Sequence, residues 1–464
     1  MYRIKQLILS ILFSLLAGPG VFAQMVSLPL IKVSSNHRYF ATAGNKPFFW
    51  LGDTGWLLFG KLTREEAAKY LEDRKQKGFN VIQVMMLHEL GVVNVYGDSA
   101  LNNKNVATPK ITPGKNASDE QQYDFWDHVD YVIDLAASKG LYMALVPVWG
   151  GNIKHVNETQ ATTYATFLAN RYKNKTNIIW LNGGDIKGSD ALDTWNRIGN
   201  TLRSIDKNHL ITFHPRGRNS SSAWFNDQPW LDFHMFQSGH RSYAQDTSYN
   251  EDLHYGEDNW RYVADDYKLK PTRPTLDGEP SYEDIPYGLH KEDEPYWKDY
   301  EIRRYAYWSV FAGGCGFTYG HNSVMQFYTP GMAGTSFFPK ITWQEALNAP
   351  GAAQMKHLKK LLLSKSYFDR VPDQSMIADN GERYDRILAT RGKDYAFFYT
   401  YNGMDFKVVL GKINGVSVNA YWFSPKDGTK IPIGKFGNKG TRLFNPPGLK
   451  QAGYDWVLVV ERAA

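Results

Sequence analysis

The sequence is short of cysteine, of long apolar runs and of blocks of one charge, and each shortage closes off a class of protein. Its 464 residues hold one cysteine, Cys315. No intramolecular disulfide can form, and a lipid anchor is excluded, because that route needs a cysteine just after the leader. The formal net charge of +6 is spread along the chain without a basic block, which argues against nucleic-acid binding. Beyond the N-terminus no apolar run approaches the ~20 residues that span a bilayer. The 12 histidines show no ligand-like spacing. His88-Glu89 opens a zinc-protease pattern, but its second histidine would fall at position 92, which is Val92. No metal and no cofactor are expected. There is no internal repeat and no low-complexity tract.

What is present begins with a leader. Arg3 and Lys5 precede an apolar run over residues 7–17, Gly18-Pro19-Gly20 breaks it, and Val21-Phe22-Ala23 offers a cleavage site. Residues 1–23 are read as a signal peptide, so the protein is expected to be exported, to the periplasm or beyond. A permanent anchor is the competing reading, and the run is short for it. Aromatic residues make up 15%, with 14 Trp and 29 Tyr. Sugar rings stack on such planes, although a large aromatic core would use them too. Asn116-Ala117-Ser118 is a glycosylation sequon, meaningful only in a host that glycosylates its exports.

From residue 48, short β-rich runs alternate with amphipathic helical stretches, the pattern of a parallel α/β fold. The candidate strands cover residues 48–52, 81–86, 141–148, 177–181, 210–214, 232–237, 274–279 and 316–320, about the number that closes a (β/α)8 barrel. Helices are expected from the Thr63-Arg64-Glu65-Glu66 capping box to Gly78, and over 125–138, 158–172, 190–205 and 299–311. An open doubly wound sheet is the alternative, but Gly52-Asp53-Thr54-Gly55 is not a phosphate-binding turn. Around Tyr367 the texture changes to short alternating runs (396–401, 407–410, 419–423, 456–460) punctuated by Gly, Asn, Asp and Pro, the signature of a small antiparallel sandwich. The expected organisation is a signal peptide over 1–23, a barrel with an N-terminal hairpin over 24–368, and a β-sandwich over 369–464. The hairpin turns at Ala43-Gly44-Asn45-Lys46 and caps the barrel floor.

In such a barrel, functional side chains stand at the C-terminal strand ends. Those ends hold Asp53, His88, Trp149, Asn182, Asp185, His214, His234, Gln237, Glu279 and His321. Glu279 ends the seventh strand, and Asp185 follows the fourth through Gly183-Gly184, where a chain or a sugar can approach closely. Two carboxyls across a barrel mouth suit glycosidic cleavage. One attacks the anomeric carbon, while the other protonates the leaving oxygen and then activates water. A retaining pair stands about 5 Å apart and an inverting pair about 6.5–9.5 Å. Structural readings compete: Asp185 as a helix N-cap before Ser189, Glu279 as the partner of an arginine, the histidines as wall residues. Cys315 is read as a strand entry, not as a nucleophile.

Four segments carry a family resemblance: Phe49-Trp50-Leu51-Gly52-Asp53-Thr54-Gly55-Trp56, Gly78-Phe79-Asn80-Val81-Ile82-Gln83, Trp180-Leu181-Asn182-Gly183-Gly184-Asp185 and Asp277-Gly278-Glu279-Pro280. They resemble the apiosidase-like proteins, glycoside hydrolase family 140, and the similarity runs on to Asp455-Trp456-Val457-Leu458. That ending is similar to a module named for collagen binding. The resemblance implies a retaining hydrolase without cofactor, Asp185 as acid/base and Glu279 as nucleophile. It implies as substrate the β-linked apiose joined to galacturonate in side chains of pectic rhamnogalacturonan II. His88, Trp149, Asn182, His214, His234, Gln237, His321 and Asp53 are expected to bind sugar, and the protein to act as a monomer on pectic oligosaccharide or polysaccharide. The sequence departs from the wider clan of retaining barrels at strand four, where Asn182-Gly183-Gly184-Asp185 replaces an Asn-Glu pair, so the acid is shorter and displaced. The alternatives are a barrel glycosidase for another sugar (arabinofuranosidase or mannanase type) and a non-catalytic glycan or collagen binder using the sandwich.

Overall fold

The structure, a computed structural model, describes residues 27–247 and 253–463; the leader assigned to 1–23 lies outside them. Eight parallel strands form the wall of a barrel: β1 (Trp50–Thr54), β2 (Val81–Met85), β3 (Tyr142–Val146), β4 (Ile178–Ile186), β5 (Ile211–Pro215), β6 (His234–Gln237), β7 (Thr275–Asp277) and β8 (Gly316–Tyr319). All eight expected strands are found. Most are buried along their whole length, as strands covered on both faces must be. Pairing runs in order from β1 to β5, and β8 returns to β1 over Gly316↔Trp50 to Tyr319↔Asp53.

The seam between β5 and β6 is different. Among the described residues no ladder crosses it. Instead the Asp232 N–H donates to the Ile211 carbonyl, and the Asp232 carboxylate accepts from the Ile211 N–H at 2.7 Å. After β5 the chain folds back as a short strand, Asn219–Ser220, antiparallel to β6, which makes the sheet nine-stranded. That return carries Arg216, Gly217 and Arg218 over the barrel mouth.

Helices α1 (Arg64–Gln76), α2 (Phe125–Ser138), α3 (Glu158–Tyr172), α4 (Leu192–Ile205), α5 (Trp260–Asp266), α6 (Asp299–Phe311) and α7 (Pro350–Leu363) surround the strands. The Thr63 capping box is present, with the Glu66 N–H donating to Oγ1 of Thr63 at 3.2 Å and the Thr63 N–H donating to Glu66 at 3.0 Å; such a cap contributes about 1 kcal/mol. The hairpin of Phe40–Thr42 and Pro47–Phe48 turns at Asn45 and closes the floor, where Phe40 packs edge-on against Phe233 at 4.9 Å.

The C-terminal region is an antiparallel sandwich of a six-stranded and a three-stranded sheet. Side chains of a strand alternate between faces, and Tyr395–Thr400 shows the consequence. Tyr395, Phe397 and Tyr399 join the barrel's apolar core, while Ala396 and Phe398 face the second sheet. α6 lies between the two regions and is buried continuously from Glu301 to Phe311. Tyr307 stacks on Tyr399 at 4.8 Å, and Arg303 clasps Asp455 with contacts of 2.7 and 2.9 Å. One apolar core therefore spans barrel and sandwich. Among the described residues no helix is long and apolar enough to cross a membrane.

Candidate active site

β4 runs five residues further than its apolar pattern suggests, and the extra length holds a bulge. The ladder to β5 steps from Gly183↔His214 to Ile186↔Pro215, leaving Gly184 and Asp185 unpaired. Gly183 and Gly184 have φ of 92° and 114°, and Asp185 itself is left-handed at 47°. A Cβ at position 184 would stand 2.5 Å from the Trp149 ring, and one at 183 would stand 2.6 Å from the His214 carbonyl. Only glycine fits both places. The bulge turns Asp185 into the mouth, as bulges beside active sites do. Asp185 caps no helix: the short turn before α4 begins after Lys187 and α4 after Ala191, neither capped by a side chain.

Glu279 stands two residues beyond β7. Gly278 passes so close to Met235 that a Cβ would meet its side chain at 2.5 Å, and the Gly278 carbonyl accepts from Nε2 of Gln83 inside the barrel at 2.9 Å. Beneath it, buried Asp277 is held by Oγ of Ser238 at 2.7 Å and Nδ2 of Asn259 at 2.9 Å. Two imidazoles flank the Glu279 carboxylate, His214 Nε2 at 3.2 Å and His240 Nε2 at 3.3 Å. The tautomer of His214 follows from its other nitrogen: Nδ1 accepts the Asp185 backbone N–H at 3.4 Å, so Nε2 carries the proton that faces Glu279. Tyr282 also lies beside Glu279, and its hydroxyl accepts from Nε1 of Trp56 at 3.0 Å.

The two carboxyls share a cavity of about 490 Å³, within the range of small-ligand sites. Their proton affinities are driven apart. Asp185 is exposed at the mouth, yet the protein packed around its carboxyl raises its pKa, the negative charge of Glu279 adds to the rise, and the value reaches about 6. Burial would raise Glu279 as well, but hydrogen bonding and charge from His214 and His240 outweigh it and hold the carboxyl at about 2. One group is thus ionised and the other is poised to give up a proton in mildly acidic solution. Among the described residues no cluster of three His, Cys, Asp or Glu is placed to hold a metal ion.

Of the residues expected at the site, Asp185, Glu279, His88, Trp149 and Gln237 line the cavity, and His214 backs it through Glu279. Trp149 packs against Trp56 at 5.4 Å and forms the cavity's aromatic wall. Four expectations are corrected. Asp53 points out of the barrel to α1, bound to Nε of Arg74 at 2.9 Å and to the Tyr70 hydroxyl at 2.5 Å, with no exposure. Asn182 also faces outward and ties β4 to α4 through the Trp195 carbonyl at 2.9 Å. His234 lies at the opposite end of its strand, buried beside Asp266 of α5. His321 is buried, its pKa lowered to about 3 by burial and then by Arg74, and its Nδ1 caps the turn Asn322–Met325. Cys315 is buried in the wall.

Sequence reasoning missed His240, Tyr282, Trp56 and the arginines Arg216, Arg218 and Arg241. His240 and Arg241 stand three and four residues past Gln237, so the strand-end rule extended by one turn finds them.

A family model described as the apiosidase-like catalytic domain matches residues 34–369, and one named for the collagen-binding domain of a collagenase matches 371–461. No curated protein compared with the chain matches it. Among solved structures, one described as a glycoside hydrolase is 49% identical with a TM-score of 0.88, the match covering 94% of this chain and 97% of that one. A second, a glycoside hydrolase family 5 protein from Bacteroides vulgatus, is 46% identical with the same TM-score, covering 94% and 95%. The match over most of the barrel, with a mouth built around two carboxyls of opposed proton affinity, shows that the chain belongs to the apiosidase-like family of glycoside hydrolases.

Proposed function

We propose that the protein is a retaining apiosidase of glycoside hydrolase family 140, which releases β-linked apiose from galacturonate in rhamnogalacturonan II side chains. Glu279 is the nucleophile and Asp185 the acid/base. The observation that carries this reading is two carboxyls lining one cavity in unlike settings, Glu279 flanked by two imidazoles at 3.2 and 3.3 Å and Asp185 turned into the mouth by its bulge. In the first step a Glu279 oxygen attacks the anomeric carbon while Asp185 protonates the departing glycosidic oxygen. In the second, Asp185 takes a proton from water, and that water displaces Glu279. The two imidazoles hold the attacking carboxylate in place. Trp56 and Trp149 offer apolar faces to the sugar. Arg216 and Arg241 at the mouth suit an acidic aglycone, because guanidinium groups match carboxylates in shape and charge. His88 and Gln237 are placed to bind sugar hydroxyls.

The leader over 1–23 places this activity outside the cytoplasm, in the periplasm or beyond, where the protein works as a monomer on pectic fragments.

The test is a panel of rhamnogalacturonan II side-chain oligosaccharides, arabinofuranosides and mannosides with the mature protein. Apiose release, and a β-apioside as the product when methanol competes with water, are expected. Release of another sugar instead overturns the substrate, and an α-apioside product overturns retention. A substrate-bound structure should show the two carboxyls about 5 Å apart.

A further inference from the structure

One turn of the sandwich touches the segment that leaves β6. This turn, Arg383–Asp385, is fixed to the sandwich by Asp385, which accepts from Nδ2 of Asn402 at 2.6 Å and pairs with Lys450 at 3.0 Å. Asn380 closes the turn's base by bonding both backbone groups of Ile387 at 2.9 Å. From this turn the Tyr384 hydroxyl donates to Oε1 of Glu257 at 2.8 Å. Glu257 is buried, pairs with Arg304 of α6, and accepts the Tyr243 backbone N–H at 3.1 Å. The Tyr384 ring meets the Tyr243 ring edge-on at 5.4 Å, and the Arg383 guanidinium lies 5.0 Å above Tyr243. Gly256 lets the chain pass beneath Tyr243, where a Cβ would meet the ring at 2.4 Å.

Tyr243 belongs to the segment that leaves β6 and carries His240 and Arg241. The other anchors of that segment come from the barrel: the Gly288 N–H and Nε1 of Trp297 both donate to the His240 carbonyl, at 2.7 and 3.2 Å. The geometry points to Tyr384 as a positioning residue, a contribution of the sandwich that fixes the β6 segment and so sets His240 and Arg241 against Glu279 and the substrate. This rests on the reading of the cavity as a glycosidase site. The sandwich is then part of the catalytic apparatus, not an attached binding module.

The test compares Tyr384→Phe and Tyr384→Ala with the unaltered full-length mature protein. Tyr384→Phe keeps the ring and removes only the donor to Glu257. Amide hydrogen exchange needs no substrate and decides the structural half. Exchange within residues 239–246 should quicken about tenfold in Tyr384→Phe and more in Tyr384→Ala, with the melting temperature of Tyr384→Phe unchanged. Unchanged exchange there overturns the proposal. So does faster exchange spread evenly through the sandwich with a lower melting temperature, which marks Tyr384 as a domain anchor only. On the glycoside the protein hydrolyses, kcat/KM should fall several-fold in Tyr384→Phe in step with the exchange. Faster exchange with unaltered kcat/KM overturns the positioning role. A wild-type protein inert on every glycoside refutes the hydrolase reading instead, and the exchange result still stands apart from it.

Discussion

Asp53 and Glu279 both stand where a barrel strand runs out, and both are carboxylates almost sealed from solvent, with exposures of 0% and 7%. Their surroundings differ in kind. Asp53 faces α1, where Arg74 neutralises it at 2.9 Å and a tyrosine completes its shell. Arginine does not titrate in a protein, so this pair is a fixed brace. Glu279 faces a cavity, and its neighbours are two imidazoles at 3.2 and 3.3 Å and a second carboxyl across the same space, with no guanidinium paired to it among the described residues. A buried carboxylate becomes available for chemistry when its charge is balanced by groups that can exchange protons and when one side opens on space for a substrate.

The sharpest way to break that contrast is Glu279→Gln. It should lower kcat by about 10⁴-fold or more with any substrate, while thermal unfolding shows a folded protein. Retention of a few per cent of wild-type turnover would remove Glu279 from the nucleophile's role. Next in size is Asp185→Asn, expected to cost about 10²–10⁴-fold on the natural galacturonate-linked substrate, because that oxygen must be protonated to leave. On an activated aryl glycoside the first step should be far less affected, and under the proposed retaining route glycosyl-enzyme should accumulate, visible by mass spectrometry. Equal losses on both substrates would contradict the acid assignment.

Asp53→Asn should do the opposite. It removes the buried partner of Arg74 and leaves the guanidinium only the longer pair with Asp73 at 3.4 Å, a change that costs about 3 kcal/mol of stability. Activity per folded molecule at low temperature should stay within about threefold of wild type, the range of ordinary context effects. A stable Asp53→Asn protein with no activity would put Asp53 back in the site.

The smallest effects are those of pH. Asp185 must hold its proton to act, so kcat/KM should fall as pH rises through about 6. Its folded pKa lies above the usual 3.8, so the native state binds the proton more tightly than the unfolded chain does. Stability is therefore lost as pH rises from 3.8 to about 6. Glu279, held at about 2 instead of 4.5, works the other way, and its contribution is lost as pH falls below 4.5. Asp185→Asn, with a side chain that tolerates the left-handed backbone, should melt above wild type at pH 7 and close to it at pH 4. Coincident pH profiles of melting for the two proteins would contradict the raised pKa.

How far the sequence showed this contrast depends on the residue. Every expected barrel strand was legible, because apolar runs between capped helices have few other readings. The face of each strand residue was not. All five residues of Trp50–Thr54 are buried, so no alternation marks which side chains point inward, and Asp53 read as a mouth residue. Asn182 was misplaced for the same reason, whereas His234 opens its strand and so stands at the other end of the barrel. Glu279 was readable because it lies beyond the end of a short strand, where no parity question arises. Asp185 was found through its glycines, but that they form a bulge within the strand depends on the ladder to β5, a long-range contact with no local mark. Arg216 and Arg218 lie on the turn into a return strand that breaks the alternation of strand and helix. α7 did have a sign that passed unused, Pro350 at its first turn.

The ring of His214 touches both halves of the chemistry, with Nδ1 on the backbone of Asp185 and Nε2 facing Glu279. An imidazole is rigid and of fixed width, so it acts as a gauge block between the acid and the nucleophile. The spacing of two catalytic carboxyls decides whether a glycosidase keeps or inverts the configuration of its sugar. Under the proposed mechanism, position 214 is one of the places where that spacing is set, because its ring meets Glu279 on one side and the backbone that carries Asp185 on the other.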